Sequence, residues 1–482
     1  MPLKGFTRNI RPLEMLTEEQ VEAVHRSTLD VLETTGIRFE SEKALNIFKK
    51  NDCDVDFDEK RVRVPSYIVE EMLRRCPSSF TMRSRNPDHN VRIGGNTLYF
   101  SDMPGQGVLD LKTWKVRKAT GEENRQALCV LDALENFHIL CSYTPYFEIE
   151  GVSPAMSIPE SVAAKMRHST KVQWTGYQND CEIYNIEMAK VTNQDIMGLS
   201  LPSAPLTYYT DACESAIRYA EAGFPINVAS GCMMGGTSPA TIAGTLVSFD
   251  AEVIGGICLA QMVKPGTKIV IEDTILPMDM RSGSPVFGSI KTCMHIAAFS
   301  QVWRRYEVPT FADSGWTNSK KIDYQDGYEK AITTLVIALS GCNVANLNGG
   351  VYGELAYHPL QSILDDDVAG MVGTFIEGFT VDDETLAAGL IEEIGPIPGY
   401  YLNTAHTREY FDKEGFIPKA ADMLTYQEWE VQGKKDALKL AEERMAEILR
   451  THRCEPLPED QDREIENILK KARAFYKNKQ GP

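Results

Sequence analysis

Residues 225–273 read PINVASGCMMGGTSPATIAGTLVSFDAEVIGGICLAQMVKPGTKIVIED, and this stretch decides the fold. PINVAS and KIVIED are short apolar runs of strand length. The segment between them is too long for a strand and dense in small and apolar residues, so it reads as a helix, with Ser238 and Pro239 suited to its cap and first position. Two strands joined by a helical crossover run parallel.

The same rhythm extends in both directions. KVQWTG (171–176), PLTYY (205–209), PTFAD (309–313) and CNVANL (342–347) are further β-like runs. ACESAIRYAEAG (212–223) and GSIKTCMHIAAFSQVWRR (288–305) are helical stretches between them. Alternation sustained over this length predicts an α/β protein, a (β/α)8 TIM-type barrel spanning 136–400. Residues 1–135 mix helices, one capped by Thr17, with β-like runs such as NTLYFSD (96–102), and read as an N-terminal α+β cap. Residues 401–482 lose all strand signal; ALKLAEERMAEILR and DREIENILKKARAFY are amphipathic, which predicts a C-terminal helical extension.

The chain has 482 residues, a formal net charge of −18 and a pI near 5.0. That charge disfavours nucleic acid and anionic membrane surfaces as partners. MPLKGFTRNIRPLEMLTEEQ has no apolar core of signal-peptide length, and no uninterrupted apolar run of membrane-spanning length stands out. Eleven cysteines without CxxC pairs fit reduced thiols, so a cytoplasmic location is expected. There is no HExxH, no Cys/His cluster at zinc spacing and no GxxxxGK[ST], and no tightly bound metal or cofactor is expected.

Barrel chemistry sits on the loops that leave the C-terminal ends of the strands. Trp174 ends one proposed strand, and Asp313 and Trp316 follow another. Tyr352, Glu354, Tyr357 and His358 crowd the glycine-opened loop GGVYGELAYHPLQ (349–361), and Tyr99 and Phe100 add aromatic rings from the cap. Aromatic faces attract quaternary ammonium groups, and acids such as Glu354 and Asp313 complement the charge. Gly235 and Gly236 lie in a loop that is either an anion cradle of backbone N–H groups or a tight turn. Cys232 in that loop has no base paired with it by motif.

Taken together, several passages resemble the trimethylamine methyltransferase superfamily: the stretch from Tyr219 to Asp273, then LPMDMRSGSPVFGS, DSGWTNSKKIDYQDGYEKA and DDDVAGMVGTF. The resemblance runs over nearly the whole chain and is strongest from 205 to 400. It implies a barrel that passes a methyl group from a methylated amine to cobalt(I) of cobalamin, a corrinoid carried by a separate corrinoid-binding protein, within one-carbon metabolism such as methanogenesis or acetogenesis. Trimethylamine enzymes of the family carry pyrrolysine; this chain has only the twenty standard residues and resembles the non-pyrrolysine branch, which acts on quaternary amines. Cobalt(I) displacing a neutral tertiary amine from a quaternary nitrogen needs positioning and a dry pocket rather than a nucleophile or acid on the chain.

The expectation is therefore a betaine-type substrate, glycine betaine foremost, with no residue in covalent catalysis. The aromatic rings and Glu354 would take the ammonium end. His358, or Gly235 and Gly236 with the helix start beyond them, would take the carboxylate. The alternatives are a tertiary methylamine substrate, or a betaine-binding module without turnover. A homo-oligomer is expected by family analogy.

Overall fold

The computed structural model describes residues 3–103, 105–143, 145–313, 315–347 and 349–479. Eight parallel strands close into a barrel: Thr97–Ser101, Ile139–Leu140, Val172–Thr175, Ile196–Ser200, Ile226–Ser230, Ile269–Asp273, Thr310–Asp313 and Val344–Asn346. The eighth strand pairs with the first, Val344 opposite Tyr99 and Asn346 opposite Ser101, so no open edge remains. PINVAS, KIVIED, KVQWTG, PTFAD and CNVANL all contain barrel strands.

Two expectations change. The barrel begins at Thr97, and its first crossover helix is Gly121–Ala133, so both lie ahead of the boundary expected at 136. PLTYY does not contribute to the barrel. Its Thr207–Tyr208 pairs with Ile37–Phe39 in a small outer sheet, and the fourth barrel strand is Ile196–Ser200.

The N-terminal helices Glu18–Asp30, Glu42–Lys50 and Ser66–Arg74 pack on the long helix Ile242–Val263. The first opens with the capping box Thr17–Gln20. Ile242–Val263 is long and apolar enough to cross a membrane, yet it is sandwiched between the barrel and this N-terminal layer. Being covered on both sides explains why it is apolar nearly all round. A Cβ on Gly256 would lie 2.7 Å from Val228 Cγ1, so the missing side chain is what lets the helix touch the sheet.

A hairpin, Ser79–Met82 with Val91–Gly94, fills the bottom of the barrel with Phe80, Met82, Val91 and Ile93. At the C-terminal side, Ala437–Thr451 packs on Pro359–Glu377 and Gly121–Ala133, while Glu459–Lys479 packs on Ser157–His168 and Cys181–Val191. The last barrel helix, Pro359–Glu377, ends beside the bottom of the barrel, where Asn9 N donates to Ile376 O at 2.9 Å.

Candidate functional site

Strand side chains alternate between the barrel interior and its outer face. Val172, Met197, Val270, Phe311 and Val344 form an apolar interior layer. Two residues further along the same strands stand Trp174, Leu199, Glu272, Asp313 and Asn346, joined by Ala229. This upper layer is the floor of a cavity of about 590 Å³ at the C-terminal end of the strands, where chemistry in this architecture belongs. A cleft of similar size, about 620 Å³, lies at the opposite end, but there Arg8 and Arg304 are tied to backbone carbonyls of Ala338, Cys342 and Ser340.

Loops build the walls. Phe287 meets Trp316 edge-on, with ring centroids 5.6 Å apart, and Trp174 meets Phe311 at 6.2 Å and 86°. Tyr143 and Tyr177 close the far side, and Tyr177 Oη donates to Leu201 O at 2.7 Å. Gly176 N donates to Ser142 Oγ at 2.6 Å, and a Cβ on Gly176 would come within 3.1 Å of Tyr143 Oη, so glycine lets this tyrosine lie against the backbone. The indole Nε1 atoms of Trp174 and Trp316 are buried without an acceptor among the described residues.

Three carboxyl groups share the cavity: Glu272, Asp313 and Glu354. Asn346 Nδ2 donates to Glu272 Oε1 at 3.2 Å and also to Asp313 Oδ1; Asn227 Nδ2 donates to Glu272 Oε2 at 2.5 Å. Burial pushes Glu272 and Asp313 above the usual carboxylate range; the charge of Glu272 raises Asp313 further, and the charges of Glu354 and Asp273 add to both. Glu354 is accessible from the cavity although protein packs closely around it, and burial pushes its carboxyl up to about 7. No Lys, Arg or His stands on the wall among the described residues. Aromatic faces and carboxyl groups on one wall can hold a cation with apolar substituents.

Of the sequence-predicted residues, Trp174, Asp313, Trp316 and Glu354 are on the cavity wall. The others are elsewhere. Tyr99 belongs to the apolar layer below, its Oη accepting from Arg92 N at 3.3 Å. Phe100 alternates to the outside and packs on Phe6. Tyr352 backs Phe287 at 5.7 Å, and Lys320 Nζ lies 4.0 Å from its ring centre. Tyr357 is fully buried, with its Oη 2.8 Å from Ser362 Oγ.

His358 does not reach the cavity. It caps the helix Pro359–Glu377, its Nδ1 accepting from Leu360 N at 3.1 Å, and burial lowers its imidazole to about 4. Gly235 and Gly236 are off the wall as well. Their N–H groups donate to Ser238 O and Met233 O, so the loop is a closed turn, and the helix beyond it begins at Ile242 with Thr241 as cap. Cys232 is buried and its thiol is pushed up to about 12, which leaves it inert as a nucleophile.

Sequence reasoning missed Glu272, Asn346, Phe287 and Tyr143. Glu272 and Asn346 end strands that are plain in the sequence, and alternation along those strands turns both inward beside Asp313.

The trimethylamine methyltransferase (MTTB) family model matches residues 1–475. A glycine betaine methyltransferase of Desulfitobacterium hafniense (strain Y51) is 32% identical over 462 residues, covering 90% of this chain and 92% of that one. The trimethylamine methyltransferase MttB of Methanosarcina thermophila is 30% identical over 463 residues, covering 93% and 95%. Among solved structures, the monomethylamine methyltransferase MtmB of Methanosarcina barkeri aligns over 89% of this chain and 92% of its own at a TM-score of 0.46 and 9% identity.

Proposed function

Because the chain belongs to the trimethylamine methyltransferase family, we propose that it takes a methyl group from a betaine-type quaternary amine, glycine betaine foremost, and passes it to a corrinoid carried by a separate protein. The observation that carries this reading is a cavity of aromatic faces and carboxyl groups, without a basic residue on its wall among the described residues. Trp174, Trp316 and Phe287 take the methylated ammonium, each desolvated face worth roughly 0.5–2 kcal/mol. Glu354 balances its charge. The indole N–H groups of Trp174 and Trp316, without an acceptor among the described residues, are the donors this reading gives to a betaine carboxylate.

The corrinoid supplies cobalt(I) as the nucleophile. The cobalt would be held by the corrinoid and its own protein, which would bring it to the cavity mouth, while the residues on this wall would hold the amine. What this chain contributes is orientation of one methyl group toward that mouth and exclusion of water around it. The leaving group, a neutral tertiary amine, needs no proton from Glu272 or Asp313.

A tertiary methylamine is the second reading, favoured by the same absence of a basic partner for a carboxylate and by the trimethylamine enzyme among the relatives. Incubation with reduced cobalamin and, in separate reactions, glycine betaine, choline and trimethylamine decides between them, with the demethylated amine measured by mass spectrometry. Glycine betaine is expected to outpace trimethylamine by about tenfold or more, as loss of paired polar contacts implies. Equal or faster use of trimethylamine would overturn the quaternary reading, and binding of betaine without demethylation would leave a binding module.

A further inference from the structure

A second cluster of reactive side chains stands far from the cavity, at the bottom of the barrel. Cys129 and Asp132 share one face of the helix Gly121–Ala133, three residues apart. His452 and Cys454 lie on the linker just after the helix Ala437–Thr451. Ligand atoms of Asp132, His452 and Cys454 all lie within 4.8 Å of one another, and Cys129, one turn before Asp132 on the same helix, neighbours Cys454. All four are half-buried, and both cysteines are free thiols.

We propose that Cys129, Asp132, His452 and Cys454 form a structural zinc site that fastens the C-terminal helices to the barrel. Two thiolates, an imidazole and a carboxylate are a tetrahedral zinc donor set. With bonds of about 2.0–2.3 Å, tetrahedral ligands stand about 3.5 Å apart, so a closure of roughly 1 Å brings Asp132, His452 and Cys454 onto one ion, and Cys129 beside them is the fourth ligand. Asp132 is already oriented as a ligand, since its Oδ1 accepts from Ser169 Oγ at 2.7 Å and from Thr170 N at 3.3 Å. That leaves Oδ2, now 2.8 Å from His452 Nε2; the proton shared there is what a divalent ion replaces.

Charge also balances. Two thiolates and a carboxylate around one Zn²⁺ leave a single negative charge, beside the buried Lys171, whose Nζ donates to Leu131 O at 2.6 Å and Leu134 O at 2.5 Å. The position suits a structural ion, because the N-terminal ends of barrel strands serve stability. Arg85, donating to Glu455 O and to Pro456 O, fixes the linker just beyond the cluster. Motif spacing gives no hint of it because the two ligand pairs are some 320 residues apart along the chain, as the Asp132–His452 contact records.

The test uses the full chain purified under reducing conditions. Elemental analysis should find about one zinc per chain, and cobalt(II) exchanged into the site should give the intense visible bands of a tetrahedral thiolate complex. Cys129→Ser and Cys454→Ser should each weaken metal retention at least about tenfold. Should these variants not fold, the cobalt(II) spectrum of the unaltered protein decides alone. Absence of zinc after reconstitution, cobalt(II) bands lacking thiolate character, or zinc retained undiminished in both variants would overturn the proposal. So would a Cys129–Cys454 disulfide in the reduced preparation.

Discussion

Phe287 stands edge-on to Trp316, with centroids 5.6 Å apart and planes at 80°, and Tyr352 backs Phe287 from behind at 77°. Phe287 and Trp316 line the cavity, whereas Tyr352 supports them and already carries Lys320 over its ring. Trp316→Ala and Phe287→Ala should each lower kcat/KM for the quaternary amine by about tenfold, the value of one lost cation–π face. Tyr352→Phe keeps the supporting ring and should leave kcat/KM unchanged. Steady-state kinetics on the three variants separate cage from support.

Glu354 sets a pH dependence. Its carboxyl, raised to about 7 by burial, is half-ionised near neutrality, and a bound ammonium favours the ionised form. KM should therefore rise as pH falls below about 7, approaching tenfold per unit, and level off above it. Glu354→Gln should abolish this slope. A slope that survives the substitution would assign the titration to Glu272 or Asp313.

The same residue has an opposite effect on the unliganded protein. A carboxyl whose folded value is raised binds its proton more tightly when folded, so stability falls as pH rises through the range up to about 7. Thermal unfolding without ligand should show Glu354→Gln more stable than the parent at pH 8, and the difference should vanish near pH 4.

The barrel is legible where strands are continuous apolar runs, as in INVAS and IVIED, because strands covered on both faces need no polar alternation. Ile139–Leu140 is only two residues and carries no pattern. IMGLS is outshone by PLTYY, whose aromatic, β-prone composition serves an outer sheet instead. In the site, Trp174 and Asp313 can be picked by position at strand ends, but Glu272 is hidden in an apolar run and Phe287 in a loop of glycine, serine and proline. The loop at 349–361 misleads for a tertiary reason. Ala356–Tyr357 pairs with Gly107–Val108, which draws Tyr357 into the core and leaves His358 at a helix start.

His358 accordingly belongs to stability. Its Nδ1 accepts a backbone hydrogen bond, which requires the neutral ring. His358→Ala should cost about 1 kcal/mol by denaturant unfolding while kcat/KM stays unchanged. Because the folded imidazole is lowered from 6.5 to about 4, the unfolded chain takes up the proton first, and stability from this group declines as pH falls across that interval. A tenfold loss of betaine turnover in His358→Ala would return this residue to the substrate.

The arm between residues 378 and 436 has an apolar surface that a single chain leaves bare. Phe379 is 76% exposed, Ile397 95%, Leu402 82% and Val431 88%. Its four short helices bury no residue. The arm departs where Thr7 and Asn9 bind Glu377 and Ile376, beside the N-terminal end of the first barrel strand. On the proposed function a corrinoid partner would approach the opposite end, where the cavity opens, and so would leave this surface bare. A second copy of the chain is the occupant that fits, since apolar patches of this kind are covered by association. Light scattering should give a multiple of 53.8 kDa, and Leu402→Glu with Val431→Glu should shift it toward the single-chain mass without altering the cavity. A monomeric parent protein would sink the prediction.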